Sequence, residues 1–165
     1  MMPYSAGKIP LFIEPLNLAI NEFEINTRQR QAAFLAQVAV ESGELRYTRE
    51  IASGAAYEGR ADLGNTQPGD GERFAGRGLL QATGRFTYGR ISSALRIDCV
   101  TNPSLLEAPV GACRSAAYIW AVEKKLNPLA DVDHFGAITK AINGGYNGID
   151  ARIVYWLVAR KQLGL

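Results

Sequence analysis

The 165-residue sequence is poor in the residues that most metal, thiol and phosphate chemistries require. It has one histidine, His134, and two cysteines, Cys99 and Cys113. With no pair of CxxC motifs, a zinc site of the usual kind lacks its ligands. A P-loop and a GxSxG nucleophile elbow are both missing, and the Gly76–Leu80 run GRGLL lacks the third glycine and the βαβ context of a dinucleotide fingerprint. Charge of one sign is missing too: 18 basic residues face 16 acidic ones, for a net +2. Residues 1–40 carry three basic and three acidic side chains, 41–96 eight and seven, and 97–165 seven and six. Such interleaving leaves no nucleic-acid footprint. No apolar run approaches the roughly 18 residues of a membrane span. The apolar stretch Ile9–Leu18 is broken by Pro10, Glu14 and Pro15 and is followed by no small-residue cleavage site. The expectation is a chain made without a signal peptide in a reducing cytoplasm, with Cys99 and Cys113 as two buried thiols or, alternatively, one disulfide.

What is present is the composition of one soluble globular domain over residues 1–165, with 47% hydrophobic and 21% charged residues. Helical spacing appears over 11–23, with Pro15 tolerable only in its first turn, and over 28–40, where Thr27 is a candidate N-cap and Ala33, Phe34, Ala36, Val38 and Val40 give a broad apolar surface. Further helices are expected at 90–96, from Pro109 through Trp120, at 135–142 ending on Gly144 and Gly145, and at 150–162 with Ile153, Trp156 and Leu157 on one side. Glycine is unevenly spread, with nine of 17 between Gly54 and Gly89. The QPGDG turn at 67–71 suggests a small hairpin or loop sheet there. The expected class is mainly α (α+β), a helical domain interrupted by a glycine-rich, weakly β lobe.

Carboxylates remain as the chemistry-bearing groups. Glu41 ends the buried helix just before Ser42 and Gly43, so its carboxyl is expected against an apolar wall at the negative end of a helix dipole, the setting of a general acid. Glu50 follows the run Arg46, Tyr47, Thr48, Arg49 and is expected in a hydrated loop near guanidinium groups, as a general base requires. Two carboxyls with opposed environments are the minimal equipment for glycoside hydrolysis. A glutamate at a helix end is equally an ordinary solvated surface residue, and spacing alone leaves both readings open.

The blocks FLAQVAVESGELRYTRE, YEGRADLGNTQPGDGERFAGRGLLQATGRFTYG and KAINGGYNGIDAR resemble, in that order and over about 34–152, a family 19 glycoside hydrolase of the compact phage or prophage endolysin type. The resemblance implies a lysozyme-like fold and an inverting glycosidase that needs no metal or organic cofactor. The endolysin-like middle block, the single-domain size and the missing signal peptide favour β-1,4 bonds of bacterial peptidoglycan over those of chitin, the alternative, and the expectation is a monomer released to the cell wall at lysis. It assigns Glu41 as general acid, Glu50 as general base and Thr83 as the hydroxyl holding the nucleophilic water. Gln81, Thr87 and Asn143 become substrate contacts, and Arg152 supports the carboxylates. Inversion implies carboxyls roughly 6.5 to 9.5 Å apart. The sequence departs from the family pattern at Val40, where histidine is usual, and at Thr87, where asparagine is usual. A catalytically silent glycan-binding domain and a thiol amidase using Cys113 and His134 are the rival classes.

Overall fold

Thr27 starts the central helix of the protein, because its hydroxyl accepts the Arg30 N–H at 3.2 Å and satisfies one of the first-turn donors. The structure, a computed structural model, describes residues 2–165. Helix α1 (Ile9–Glu22) and α2 (Arg28–Glu41) are followed by a long loop region with one short helix, α3 (Asp70–Arg73). Then come α4 (Arg85–Leu95), α5 (Pro109–Tyr118), which continues as a π turn over Ile119–Glu123, α6 (Asn127–Asp131), α7 (Phe135–Asn143) and α8 (Ile149–Gln162). Helix α2 lies between α6, α7 and α8, and α1 packs along α5. The core is mixed aliphatic and aromatic. Phe34 meets Trp120 edge to face at 5.4 Å, and the Trp120 indole N–H, buried with its ring, donates to Asn127 at 2.8 Å.

Three helices differ from their sequence expectation. Helix α1 begins two residues early, with Pro10 in its first turn, so Pro15 falls in the helix interior and removes one backbone bond there. Helix α4 starts at Arg85, five residues before the expected start, after a Gly84 N-cap that offers no side-chain signal. On α8, Ile153 and Trp156 pack on the core while Leu157 points to solvent. Cys99 and Cys113 are free, fully buried thiols, as expected.

The glycine-rich segment is a lobe almost without strand. Among the described residues it contains only two isolated antiparallel bridges, Arg49 with Arg77 and Arg77 with Ala82. Buried polar ties do the work of a strand ladder. Asp70, 1% exposed, takes Arg85 through both carboxylate oxygens at 2.5 and 2.9 Å. Glu58 accepts the Gly69 and Gly71 amides at 2.8 and 2.7 Å. The buried Arg77 guanidinium donates to Glu107, to the Arg73 and Ala75 carbonyls and to the Tyr88 hydroxyl. This lobe stands beside the C-terminal end of α2.

Candidate active site

Helix α2 delivers Glu41 as its last residue, and the chain then turns sharply. Ser42 caps the end by donating its hydroxyl to the Val38 carbonyl at 2.6 Å and accepting the Leu45 amide at 2.8 Å. Gly43, Glu44 and Leu45 all take left-handed backbone conformations, with φ of 55, 62 and 64°. For the two non-glycine residues that costs about 1 kcal/mol each. The Glu41 carboxyl does not stand against an apolar wall alone. Its Oε1 accepts from Arg152 Nη2 at 2.5 Å, and Arg152, on α8, is 2% exposed. The other terminal nitrogen of Arg152 donates to Gln37, one turn before Glu41 on α2, and the buried Gln37 amide donates to Thr139 of α7 at 2.9 Å. A buried relay from α7 through α2 to α8 therefore fixes one oxygen of Glu41. Among the described residues, Oε2 has no protein partner.

Glu50 lies in the lobe, where its backbone N–H donates to the Gly76 carbonyl at 2.9 Å. Its carboxylate oxygens accept from the Gly76 amide at 2.7 Å and the Tyr57 hydroxyl at 3.0 Å, so neutral donors hold it and no guanidinium pairs with it. Of the guanidinium groups expected nearby, Arg49 lines the same cleft, while the direct bonds to Glu50 come from an amide and a phenol. Burial, then the bond to Glu50, pushes the Tyr57 hydroxyl above its usual value, so it remains a proton donor at neutral pH.

Gly76 is where the lobe side of the site converges. A Cβ there would lie 2.6 Å from Gln81 Oε1, 3.3 Å from Thr83 Oγ1 and 3.4 Å from Glu50 Cδ, so any side chain would displace Gln81 and crowd Thr83 beside Glu50. Gln81 itself has φ of 53° and donates its amide to the Gly78 carbonyl at 3.2 Å, while Thr83 donates to the Gln81 carbonyl at 2.9 Å. Glu41, Tyr47, Arg49, Glu50, Ile51, Ala52 and Gln81 line one cleft of about 350 Å³. Asn143 ends α7 with a buried Nδ2 that has no protein partner among the described residues. Thr87 sits on α4, where Arg90 donates to it at 3.2 Å, and is not part of the cleft lining. Tyr57, Gln37 and Thr139 escaped the sequence reading, since nothing in their spacing ties them to a carboxyl. His134 is exposed and Cys113 fully buried, so they form no dyad. Among the described residues, no three His, Cys, Asp or Glu side chains are grouped to hold a metal ion, and no helix is long and apolar enough to cross a membrane.

Two carboxyls from separate elements thus line one cleft, one bonded to a guanidinium and the other to neutral donors. No family model matches the chain. It is 33% identical over 141 residues to an endochitinase of Arabidopsis thaliana, covering 81% of this chain and 48% of that one. A basic endochitinase of Brassica napus is 31% identical over 165 residues, with 93% and 59% covered. A family 19 glycosyl hydrolase domain-containing protein of Haemophilus influenzae is 31% identical over 103 residues, with 62% and 49% covered. The chain spans about half the length of the curated relatives it matches. Among solved structures, a class IV family 19 chitinase from Zea mays superposes with a TM-score of 0.74 at 26% identity, over 94% of this chain and 81% of that one. A bacterial family 19 chitinase gives 0.77 at 24% identity, over 92% and 86%, which bears on the fold alone. The mainly helical, lysozyme-like class expected from the sequence is the fold observed, and the chain belongs to glycoside hydrolase family 19.

Proposed function

We propose that the chain is an inverting glycosidase acting on β-1,4 bonds of a polysaccharide containing N-acetylglucosamine, with Glu41 as general acid and Glu50 as general base. The observation that carries this reading is the shared cleft, with Arg152 fixing one face of Glu41 and neutral donors holding Glu50. In the proposed step Glu41 gives its proton to the leaving glycosidic oxygen. Glu50 takes a proton from a water that attacks the anomeric carbon from the opposite face, and Thr83 helps to hold that water. As the Glu41 carboxylate forms, Arg152 stabilises its new charge. The Gln81 side chain on the cleft, and the Asn143 amide that has no protein partner among the described residues, would orient N-acetyl and hydroxyl groups.

Chitin-type oligomers are the substrate that the relatives favour, since those relatives are endochitinases. Arg49 favours a second reading, bacterial peptidoglycan. It is exposed on the cleft and makes no ion pair among the described residues, so it could meet the lactyl carboxylate of N-acetylmuramic acid. A chain acting on cell walls only after release at lysis would fit that reading. The deciding experiment incubates the protein with soluble chitin oligomers and with purified cell walls, and follows reducing ends and the anomeric form of the product by NMR. Wild type is expected to release the α anomer first, and Glu41→Gln to cut at least about 100-fold more slowly. An initially β product would contradict inversion, and a Glu41→Gln rate within a few-fold of wild type would remove the acid assignment. Saturable binding with no new reducing ends would instead identify a silent glycan-binding domain.

A further inference from the structure

Glu44 is a carboxylate that the proposed chemistry does not use. It is 4% exposed, three residues beyond Glu41, and lies in the middle of the left-handed turn from Gly43 to Leu45. Its Oε1 accepts the Tyr155 hydroxyl at 2.6 Å and its Oε2 accepts the Tyr4 amide at 2.7 Å. Tyr155 is on α8, three residues beyond Arg152, so the two side chains occupy one face of that helix. Glu41 takes Arg152 and Glu44 takes Tyr155. Two bonds, three residues apart on both partners, therefore fasten the end of α2 and the turn after it to α8.

The turn is not self-supporting, since two of its three residues have unfavourable backbone conformations. Its backbone bonds, Glu44 N–H to Ala39 and Tyr47 N–H to Ser42, set its shape. They leave open how it sits against α8, and the Glu44 side chain fixes that. The groups facing Glu44 are Tyr155, Tyr4 and, more distantly, Arg46, whose guanidinium lies over the Tyr4 ring at 5.3 Å and the Tyr47 ring at 5.6 Å. The bond to Glu44, followed by burial, pushes the Tyr155 hydroxyl up to about 12, so it stays a donor across the working range.

We infer that Glu44 and Tyr155 are positioning residues that hold α8 in the register at which Arg152 meets Glu41. The inference rests on the reading of Glu41 as the acid. If the latch sets that register, Tyr155→Phe loses a single hydroxyl yet lets the guanidinium drift from Glu41. The expected result is a fall in kcat on chitin oligomers of about tenfold with KM within about twofold. In an Arg152→Lys background the same substitution should cost less than about twofold, because both changes act on one contact. Glu44→Gln keeps an acceptor for Tyr155 and should retain more kcat than Glu44→Ala. A kcat for Tyr155→Phe within twofold of wild type, or a full additive loss in the Arg152→Lys background, overturns the proposal. If wild type cuts neither substrate, the glycosidase reading fails and the latch is judged by nitrogen-15 NMR of the guanidinium groups. Resolved, slowly rotating Arg152 Nη signals that collapse in Tyr155→Phe support it, and signals that do not change overturn it.

Discussion

Arg49 and Arg152 are the two guanidinium groups at the cleft, and their surroundings give them different work. Arg152 is buried with both terminal nitrogens bonded to α2, so it is part of the scaffold that aims Glu41. Arg49 is exposed, beside Tyr47 and Ile51, and has no carboxylate partner among the described residues. A cation without a protein partner at a cleft recognises an anionic substituent of substrate more readily than a neutral sugar. Arg49→Gln is therefore expected to lower the ratio of cell-wall cleavage to chitin-oligomer cleavage by about tenfold, the worth of one charge-assisted hydrogen bond. Paired rate measurements on the two substrates check this, and an unchanged ratio would remove Arg49 from substrate choice. At this scale the position of Glu41 was legible, because a carboxyl directly after a buried helix and before Ser42 and Gly43 marks a chain leaving the core, while its chemical role was open on pattern alone. Its ion pair carried no local signal and was expected only through the family resemblance, because Arg152 lies 111 positions away and the packing of α8 on α2 brings it there. Tyr57, which holds Glu50, carries no local signal at all.

The helices show how element-scale patterning succeeds and fails. Helix α2 was legible almost to the residue, since Thr27 caps it and its apolar positions are nearly continuous. Helix α4 was found only in its second half because Gly84 gives no capping side chain and Arg85 is engaged with the lobe instead of with the helix. The glycine-rich lobe was recognised as an insertion, but its expected hairpin is absent, and polar ties replace the ladder. Among those ties the Arg85 pair, then the Gln67 amide, holds the Asp70 carboxyl below its usual value, despite an opposing cost of burial. Asp70 therefore adds stability that is fully present above the ordinary aspartate value of 3.8 and is lost as pH falls through the depressed native one. Asp70→Asn is expected to cost about 2 kcal/mol at pH 7, a fall in Tm of about 4 to 8 °C. Thermal melts from pH 7 downward should show the gap between wild type and variant closing below that value, as protonation removes the same interaction from the wild type. A gap that persists unchanged into strong acid would show that packing, and not charge, accounts for the loss.

At the scale of the whole molecule, the two cysteines report whether the core opens as one unit and whether thiol chemistry has any part in activity. Cys99 and Cys113 are both fully buried in the main core cluster. Burial pushes their thiols up, to about 11 for Cys99 and about 12 for Cys113, so neither is a ready nucleophile near neutral pH. The Cys99 thiol donates to the Tyr88 carbonyl of α4 at 3.3 Å, while Cys113 sits on α5 against the same core. Exposing either one to reagent requires α4 or α5 to leave the core. Since a core of this kind opens mainly by global unfolding, both thiols are expected to react with a disulfide reagent at one common rate. In native protein that rate should be at least about 1000-fold below the unfolded value. The rate should rise with denaturant in step with the unfolding equilibrium, and treating the native protein with an alkylating agent should leave glycan cleavage unchanged. Fast labelling of one cysteine alone would reveal a sub-global opening of its helix. Loss of activity on labelling of native Cys113 would return a thiol to the mechanism, against the carboxylate pair at the end of α2.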